Sequence, residues 1–193
     1  MTALGIVGVA DILSRMREEF FSVDVEASGP IPGEYSLLTI GACNADEDKQ
    51  TFHVSLKPLN RNFVPEAMKV TGLSLEDLER DGLDPAEAMT SFGDWIAACT
   101  QDGSSPVFVG LNAPFDWSFI NYYFHRFLGA NPFGFSALDI KALYMGATGC
   151  TWGQTGSSQM AKRLNPTRSG THDAVQDALY QAELFRLVRG LRD

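Results

Sequence analysis

Five residues in three separate patches of the sequence could together perform hydrolytic chemistry: Asp24, Glu26, Asp116, His172 and Asp177. Four carboxylates that converged on one point would repel each other strongly unless cations lay between them. Carboxylate oxygens are the ligands that Mg²⁺ and Mn²⁺ prefer. Two divalent ions held by carboxylates, with a histidine beside them, are typical of sites that hydrolyse phosphodiester bonds.

The first two acids, Asp24 and Glu26, lie in a segment whose alternation and β-branched valines predict a strand over residues 20–27. Strand side chains alternate, so both acids point to one face while Val23 and Val25 point to the other. Like charges on one face destabilise a strand. A solvent-facing edge strand would tolerate them, but the valine-rich flanks favour a central strand in which both acids hold one metal ion.

Asp116 lies at a predicted strand-to-helix junction, after a short hydrophobic strand and the run from Leu111 to Phe115. The carboxyl ends of strands are common positions for functional residues in α/β folds. Asp116 could cap the helix that follows, or it could be a metal ligand. The two roles are not exclusive.

Asp177 and His172 lie at the start of the last predicted helix, over about residues 173–188. Asp177 projects beside apolar residues at helical spacing, and an ionised carboxylate there is costly unless Arg, Lys or a metal ion pairs with it. Asp173 and Gln176 form a predicted capping pair. Histidine side chains titrate near neutral pH, which suits a general base, although a lone histidine at a helix start is more often a surface residue.

The elements that must position these residues follow the order β-β-β-α-β-α-β-α. Strands are predicted over residues 20–27, 35–42, 51–56, 107–110 and 137–140, and helices over 65–70, 75–81, 84–99, 116–128, 140–144 and 173–188. Loops are predicted over 103–106 and 152–158. A meander followed by alternating helices and strands predicts an α/β fold that resembles the ribonuclease H-like fold, a mixed five-stranded sheet with helices on both faces.

The length of 193 residues suits a single domain, which we assign to residues 20–193, with residues 1–19 as an N-terminal extension. The extension lacks the basic start of a signal peptide, and no apolar run approaches the ~18 residues of a membrane span, so no membrane partner is expected. Three scattered cysteines without metal-site spacing favour a reducing, cytoplasmic compartment.

The formal net charge is −9 and the sequence pI is about 4.7. An acidic chain is poorly suited to tight, nonspecific binding of long nucleic acid, which usually needs a broad basic face. A short substrate is still compatible with this charge, because metal ions can supply local positive charge.

The three patches resemble the motifs of the DEDDh family of 3'→5' exonucleases, relatives of proofreading exonucleases, oligoribonuclease and ribonuclease T. The family's Asp-x-Glu strand motif is matched by Asp24 and Glu26, its Asn-Ala-x-Phe-Asp helix start by residues 112–116, and its His with an Asp five residues later by His172 and Asp177. The match spans about residues 20–188. One departure is Ala27, which stands where the family usually carries Thr.

The resemblance implies that Asp24, Glu26 and Asp177 hold one ion, Mg²⁺ or Mn²⁺, and that Asp24 and Asp116 support a second. It implies that His172 is the general base. The implied substrate contacts are Ala27, Ser28, Asn112 and Phe115. The implied reaction is exonucleolytic release of nucleoside 5'-monophosphates from the 3' end of short or single-stranded RNA or DNA.

Two other functions are open on the sequence alone. The acidic surface would suit a hydrolase of small nucleotides or dinucleotides, and the same cleft could serve a catalytically weak module that binds nucleic acid 3' ends. Lys162, Arg163 and Arg168 could contact substrate phosphates or form a solvated loop. The aromatic helix over 116–128 is apolar nearly all round, which predicts core packing or a homodimer. His53 and His125 are interpreted as structural.

Overall fold

The computed structural model of the protein describes residues 17–47 and 49–192. The strands of this part of the chain are β1 Arg17–Ala27, β2 Leu37–Asn44, β3 Thr51–Ser55, β4 Ser104–Gly110 and β5 Ala137–Asp139. Its α-helices are α1 Pro65–Thr71, α2 Leu75–Asp81, α3 Pro85–Cys99, α4 Pro114–Leu128, α5 Ile140–Thr148, α6 Ser157–Leu164 and α7 Ala174–Arg189. Short 3₁₀ helices span Trp152–Gln154 and Gly190–Arg192.

The strands form one five-stranded sheet in the order β3-β2-β1-β4-β5. The pairs β1–β2 and β2–β3 are antiparallel, as the short connections of a meander require, whereas β1–β4 and β4–β5 are parallel across helical crossovers. The predicted mixed five-stranded α/β fold is confirmed. β1 lies in the centre of the sheet, so the edge-strand interpretation of its two acids is wrong.

Helices cover both faces of the sheet, and β1 contributes to both layers. Phe21, Val23 and Val25 pack into a core with buried residues of α3 and α4. Ser22 faces the other way, where its hydroxyl donates to the carbonyl of Ala178 in α7 at 2.8 Å. Because strand side chains alternate, Asp24 follows Ser22 onto the α7 face, as does Glu26.

The close approach of α7 to the sheet depends on Gly41 in β2, which pairs with Asp24 of β1. A Cβ atom at Gly41 would lie 2.1–2.4 Å from backbone atoms of Ala174 and Val175. Real Cβ atoms do not tolerate such distances, so only glycine allows the start of α7 to rest on the sheet. This contact brings the first turn of α7, which carries Asp177, towards the two acids of β1.

Several boundaries differ from the sequence prediction, and the largest differences are in β1, β4 and the region 152–158. β1 begins at Arg17, and its first three residues pair with Ser104–Pro106, which were predicted as a loop. Residues 17–19 therefore belong to the sheet, and the rest of the predicted extension lies outside the described residues. The predicted loop 152–158 contains a 3₁₀ helix and the start of α6.

Helix α4 packs its aromatic side chains into its own domain. Phe119, Ile120, Tyr123 and Phe124 are buried, and their partly buried neighbours pack against the same core. This burial removes the sequence argument for a second subunit along α4, and the homodimer stays a prediction. Within the described ranges, no helix is long and apolar enough to cross a membrane.

Candidate active site

The candidate site lies at the edge of the sheet where the parallel strands β1, β4 and β5 end. Asp24 and Glu26 lie among the last four residues of β1. Asp116 follows β4 in the first turn of α4, and Asp177 lies in the first turn of α7. Carboxyl ends of parallel strands share one edge of a sheet, which is why residues far apart in sequence converge here.

Glu26, His172 and Asp177 form the most open part of the site. One ligand atom from each lies within 4.8 Å of the others, close enough for a single ion to contact all three. Burial, followed by the negative charges of Asp177 and Asp173, raises the pKa of Glu26 from 4.5 to about 7. Glu26 therefore gains from any cation that enters this cluster.

Asp116 forms the buried part of the site, with 5% of its surface exposed. Its Oδ1 accepts the backbone N–H of Val25 at 3.0 Å, which fixes the start of α4 against β1. The helix N-cap is Ala113, so the capping role considered for Asp116 is wrong. Burial raises the pKa of Asp116 from 3.8 to about 8, against the lowering effect of hydrogen bonds from backbone amides.

Asp24 lies among the other acids. Burial is the main cause that raises its pKa well above the ordinary value, and the charges of Asp116, Glu26 and Asp177 raise it further. The side-chain amide of Gln181 in α7 donates to Asp24 and lowers this pKa. Each of these three charges acts on Asp24, which places all four carboxylates in one electrostatic cluster.

Gln181 is a residue that the sequence analysis missed. It is buried, its amide nitrogen donates to Asp24, and its Oε1 accepts the backbone N–H of Leu111 at 2.8 Å. It therefore ties α7 to both β1 and the end of β4. The available signal was a polar residue on the apolar face of α7, one helical turn after Asp177.

Asp177 also determines where His172 lies. Its two carboxylate oxygens accept the backbone N–H groups of Thr171 at 2.6 Å and His172 at 3.0 Å. His172 adopts the left-handed φ of 62°, which is unfavourable for a side chain other than glycine and is held here by that hydrogen bond. Asp173 caps α7 by accepting Gln176 N–H at 3.0 Å, as the sequence predicts. The imidazole of His172 is exposed at the rim of the cluster.

The donor set of this cluster fits hard divalent ions. Its ligands are carboxylate oxygens with one imidazole beside them, and the charges of neighbouring acids add to burial in raising the pKa of Asp24 and Glu26. Divalent cations would offset this repulsion and favour the ionised forms of Asp24, Glu26 and Asp116.

Two cavities meet at Glu26. One, of about 350 Å³, is predominantly apolar and is lined by Ala27, Phe115 and Val70 of α1. The other, of about 280 Å³, lies between His172 and the outer strands and is lined by Thr39, His53 and Ser55. A cavity of the first kind accommodates a planar base, and one of the second kind offers hydrogen-bond donors.

His53, which the sequence analysis interprets as structural, lines this second cavity and is exposed. It pairs with Gly41, which pairs with Asp24, so His53 and Asp24 occupy one row across the sheet. The register that aligns them depends on long-range strand pairing and could not be derived from the position of His53 in sequence.

Two of the predicted substrate contacts have other partners. Ser28 is fully buried; its hydroxyl donates to the carbonyl of Asn62 at 2.8 Å and accepts Ser36 N–H at 2.9 Å. It therefore holds the turn that follows β1 and does not face either cavity. Asn112 is exposed with φ 69°, and its Oδ1 accepts Lys141 Nζ at 3.3 Å.

A family of known proteins matches most of this chain. Residues 21–185, well over half of the chain, match the family described as Exonuclease, the RNase T family. The chain belongs to this exonuclease family. The predicted membership of the DEDDh-type 3'→5' exonucleases is confirmed, and with it the prediction that the chain is an enzyme of this class.

Relatives agree with the assignment. The chain is 56% identical over 177 residues to a protein of Escherichia coli named 3'-5' DNA exonuclease Cap18, covering 92% of this chain and 95% of that one. It resembles the nuclease domain of 3'hExo, a DEDDh family member solved with rAMP, with a TM-score of 0.71, 15% identity and coverage of 89% and 92%.

A second solved structure is E. coli Exonuclease I in complex with a dT13 oligonucleotide. Its TM-score is 0.69 at 18% identity, and the match covers 90% of this chain. The chain spans only 41% of the length of Exonuclease I. The two structural matches, both under 20% identical, support the fold alone.

Proposed function

We propose that the protein is a metal-dependent exonuclease that removes nucleoside 5'-monophosphates from the 3' end of single-stranded DNA. The observation that carries the proposal is the convergence of Asp24, Glu26, Asp116 and Asp177 beside His172. DNA is chosen because the 56% identical relative is named a DNA exonuclease, and single strands because Exonuclease I was solved with an oligonucleotide.

The acids have distinct parts in this proposal. Asp24, Glu26 and Asp177 would hold one divalent ion, Mg²⁺ or Mn²⁺, and Asp24 and Asp116 would support a second. When bound, such ions neutralise the scissile phosphodiester and favour deprotonation of water. Gln181 orients Asp24, because its amide donates to that carboxylate and its own oxygen is fixed by Leu111.

His172 is the proposed general base. Its imidazole takes a proton from the attacking water, the water oxygen bonds to phosphorus in line with the leaving group, and the P–O3' bond breaks. The leaving 3'-oxygen takes up a proton and becomes the new 3' end. Asp177 keeps His172 in place through the backbone N–H bond at 3.0 Å.

The apolar cavity of Ala27, Phe115 and Val70 is the proposed position of the 3'-terminal base. It adjoins Glu26, so a base there would place its own 5'-phosphate over the acids. The departure at Ala27 removes the hydroxyl that the family's usual Thr would present. We therefore expect the terminal nucleotide to be held mainly by apolar contact.

The test is an incubation of the purified protein with 5'-labelled single-stranded DNA and RNA 20-mers and with a dinucleotide, in Mg²⁺, Mn²⁺ or EDTA. We expect a ladder that shortens from the 3' end of DNA, requires metal and is absent in Asp177→Ala. His172→Ala should lower kcat on the order of 10²–10⁴-fold. Asp94→Ala, an exposed acid of α3, is the matched control.

The outcomes separate the alternatives. Cleavage of the dinucleotide alone would favour a small-nucleotide hydrolase, and binding without cleavage would favour a 3'-end binding module. Full activity of Asp177→Ala would contradict the metal assignment.

A further inference from the structure

One stretch of the chain differs in charge from the rest. Between Asp139 and Asp173 the sequence contains no Asp or Glu, but it contains Lys141, Lys162 and Arg163 as well as Arg168. The whole chain has 24 acidic and 15 basic residues. An acid-free segment within such a chain provides a local positive potential that the overall charge conceals.

Both ends of this stretch adjoin the candidate site. It begins where β5 ends, at the sheet edge that carries the acids, and it ends at His172. Between these points it forms α5, the 3₁₀ helix Trp152–Gln154 and α6. Lys162 and Arg163 are exposed in the last turn of α6, whereas Arg168 lies near Glu183, so its charge is partly offset.

An exposed tryptophan lies in the middle of the stretch. Trp152 is 51% exposed, and the ammonium of Lys141 lies 4.3 Å from its ring centroid. The same ammonium donates to Asn112 Oδ1 at 3.3 Å, and Asn112 N–H donates to Asp139 at 3.0 Å. Asn112 is four residues before Asp116, so this chain of contacts connects the indole to the site.

The backbone beneath Trp152 is fixed. The carbonyl of Trp152 accepts both the N–H of Thr155 at 3.1 Å and its hydroxyl at 2.7 Å, and Thr155 is fully buried. A capping box between Thr151 and Gln154 closes the turn. A large aromatic side chain that is exposed and rigidly attached is suited to binding, because little conformational entropy is lost on contact.

We propose that Trp152 is a stacking platform for a nucleobase on the 5' side of the scissile bond, and that Lys141, Lys162 and Arg163 face the phosphates of that strand. The inference rests on the proposed function. The direction follows from the sheet order β1-β4-β5: the cavity for the 3'-terminal base adjoins Ala27 at the end of β1, the acids lie at the ends of β1 and β4, and Trp152 lies against Lys141, two residues after β5. Aromatic platforms and basic side chains are the usual means of binding single strands.

The first test compares two substrates. Trp152→Ala should raise KM for a single-stranded dT 20-mer on the order of 10- to 100-fold, and Trp152→Phe should restore most of the affinity. Thymidine 5'-monophosphate p-nitrophenyl ester contains only the terminal nucleotide, so its hydrolysis should be unchanged. Phe135→Ala is the matched control. Phe135 is 92% exposed but lies before the first residue of β5, at the end of the strand away from the acids.

The second test needs no turnover. The chain has three tryptophans, and Trp95 and Trp117 are partly buried against the core. In EDTA, a dT oligomer should quench the fluorescence of the wild-type protein but not that of Trp152→Phe. Equal quenching in both proteins would overturn the proposal.

The third test measures how KM depends on salt concentration, which reports charge contacts with the phosphates. Lys141→Glu should lower the slope of log KM against log salt by on the order of one, as expected for a lost phosphate contact, while Lys49→Glu, at an exposed position two residues before β3, should not. An active exonuclease with unchanged KM in both Trp152→Ala and Lys141→Glu would refute the platform and leave the proposed function standing. Absence of any exonuclease activity, with quenching intact, would refute the proposed function alone.

Discussion

Replacing Asp116 by Asn should separate the stability of the site from its activity. In the metal-free protein the raised pKa of about 8 keeps this buried carboxyl protonated at neutral pH. Asparagine has nearly the shape of a protonated carboxyl, and its oxygen can still accept the N–H of Val25. The substitution therefore removes a titration and a proposed metal ligand while it leaves the packing largely unchanged.

The magnitude follows from linkage. The folded pKa of Asp116 lies above its ordinary value of 3.8, so the stability gained by protonation is complete below pH 3.8 and is lost as the pH rises through about 8. At about 1.4 kcal/mol per pH unit, the loss for wild type at pH 7 is on the order of 4 kcal/mol, taken as an upper limit. Asn does not titrate, but its buried NH₂ group costs about 1–3 kcal/mol at every pH.

The measurement is thermal unfolding of both proteins in EDTA from pH 4 to pH 8. At pH 4 we expect Asp116→Asn to be less stable than wild type by about 1–3 kcal/mol. At pH 8 the order should reverse, with the variant melting several degrees higher, since 1 kcal/mol corresponds to about 2–4 °C for a domain of this size. The charge of Asp116 also raises the pKa of Asp24, so the pH-dependent difference reports these two acids together, whereas acids distant from Asp116 titrate equally in both proteins and cancel. Exonuclease activity in Mg²⁺ should be lost.

A stability difference between the two proteins that is constant over this range would refute the reasoning, because it would mean that Asp116 titrates normally. Glu87→Gln, an exposed acid-to-amide change on the first turn of α3, is the matched control for the substitution itself.

Three further predictions concern packing and charge at the site. Gly41→Ala should destabilise the fold by at least about 1–3 kcal/mol and abolish activity, because the new methyl group would displace the backbone of Ala174; circular dichroism melts and activity assays check both. Gln181→Leu should destabilise the protein by about 1–3 kcal/mol, since the buried N–H of Leu111 loses its acceptor, and a normal urea midpoint would contradict this. Mg²⁺ should raise Tm more at pH 8 than at pH 5. The pKa of Glu26 is raised from 4.5 to about 7, so the stability due to its protonation is present below pH 4.5 and is lost as the pH rises through 7, where the cation can replace the proton. An equal rise in Tm at both pH values would argue against this coupling.

The sequence predicted the centre of the fold well because its local signals agreed with the tertiary structure. The alternating valines of β1 and the Asp84-Pro85 start of α3 were both found where predicted, and the Asp84 side chain accepts Ala86 N–H at 2.9 Å. The family motifs placed the four acids on three elements, and the structure brings those elements together.

The sequence analysis missed elements and residues whose positions depend on tertiary contacts. Arg17–Glu19 are charged residues with weak strand propensity, and they extend β1 only because Ser104–Pro106 lie beside them. Helix α6 follows a Gly- and Ser-rich run, is polar on average and buries only Met160, so few apolar residues mark it in the sequence. Gln181 and His53 acquire their places from helix packing and strand register, neither of which short-range sequence patterns reveal.

The dependence of the site on α7 has a consequence during synthesis. Asp24 and Gln181, which share a hydrogen bond, are 157 residues apart in the chain. At about 5–20 residues per second, a ribosome makes the second on the order of 10–30 s after the first. Until α7 docks on Gly41, neither His172 nor Asp177 lies beside Glu26. If these residues act as we propose, the nascent chain gains exonuclease activity only after this late helix has folded.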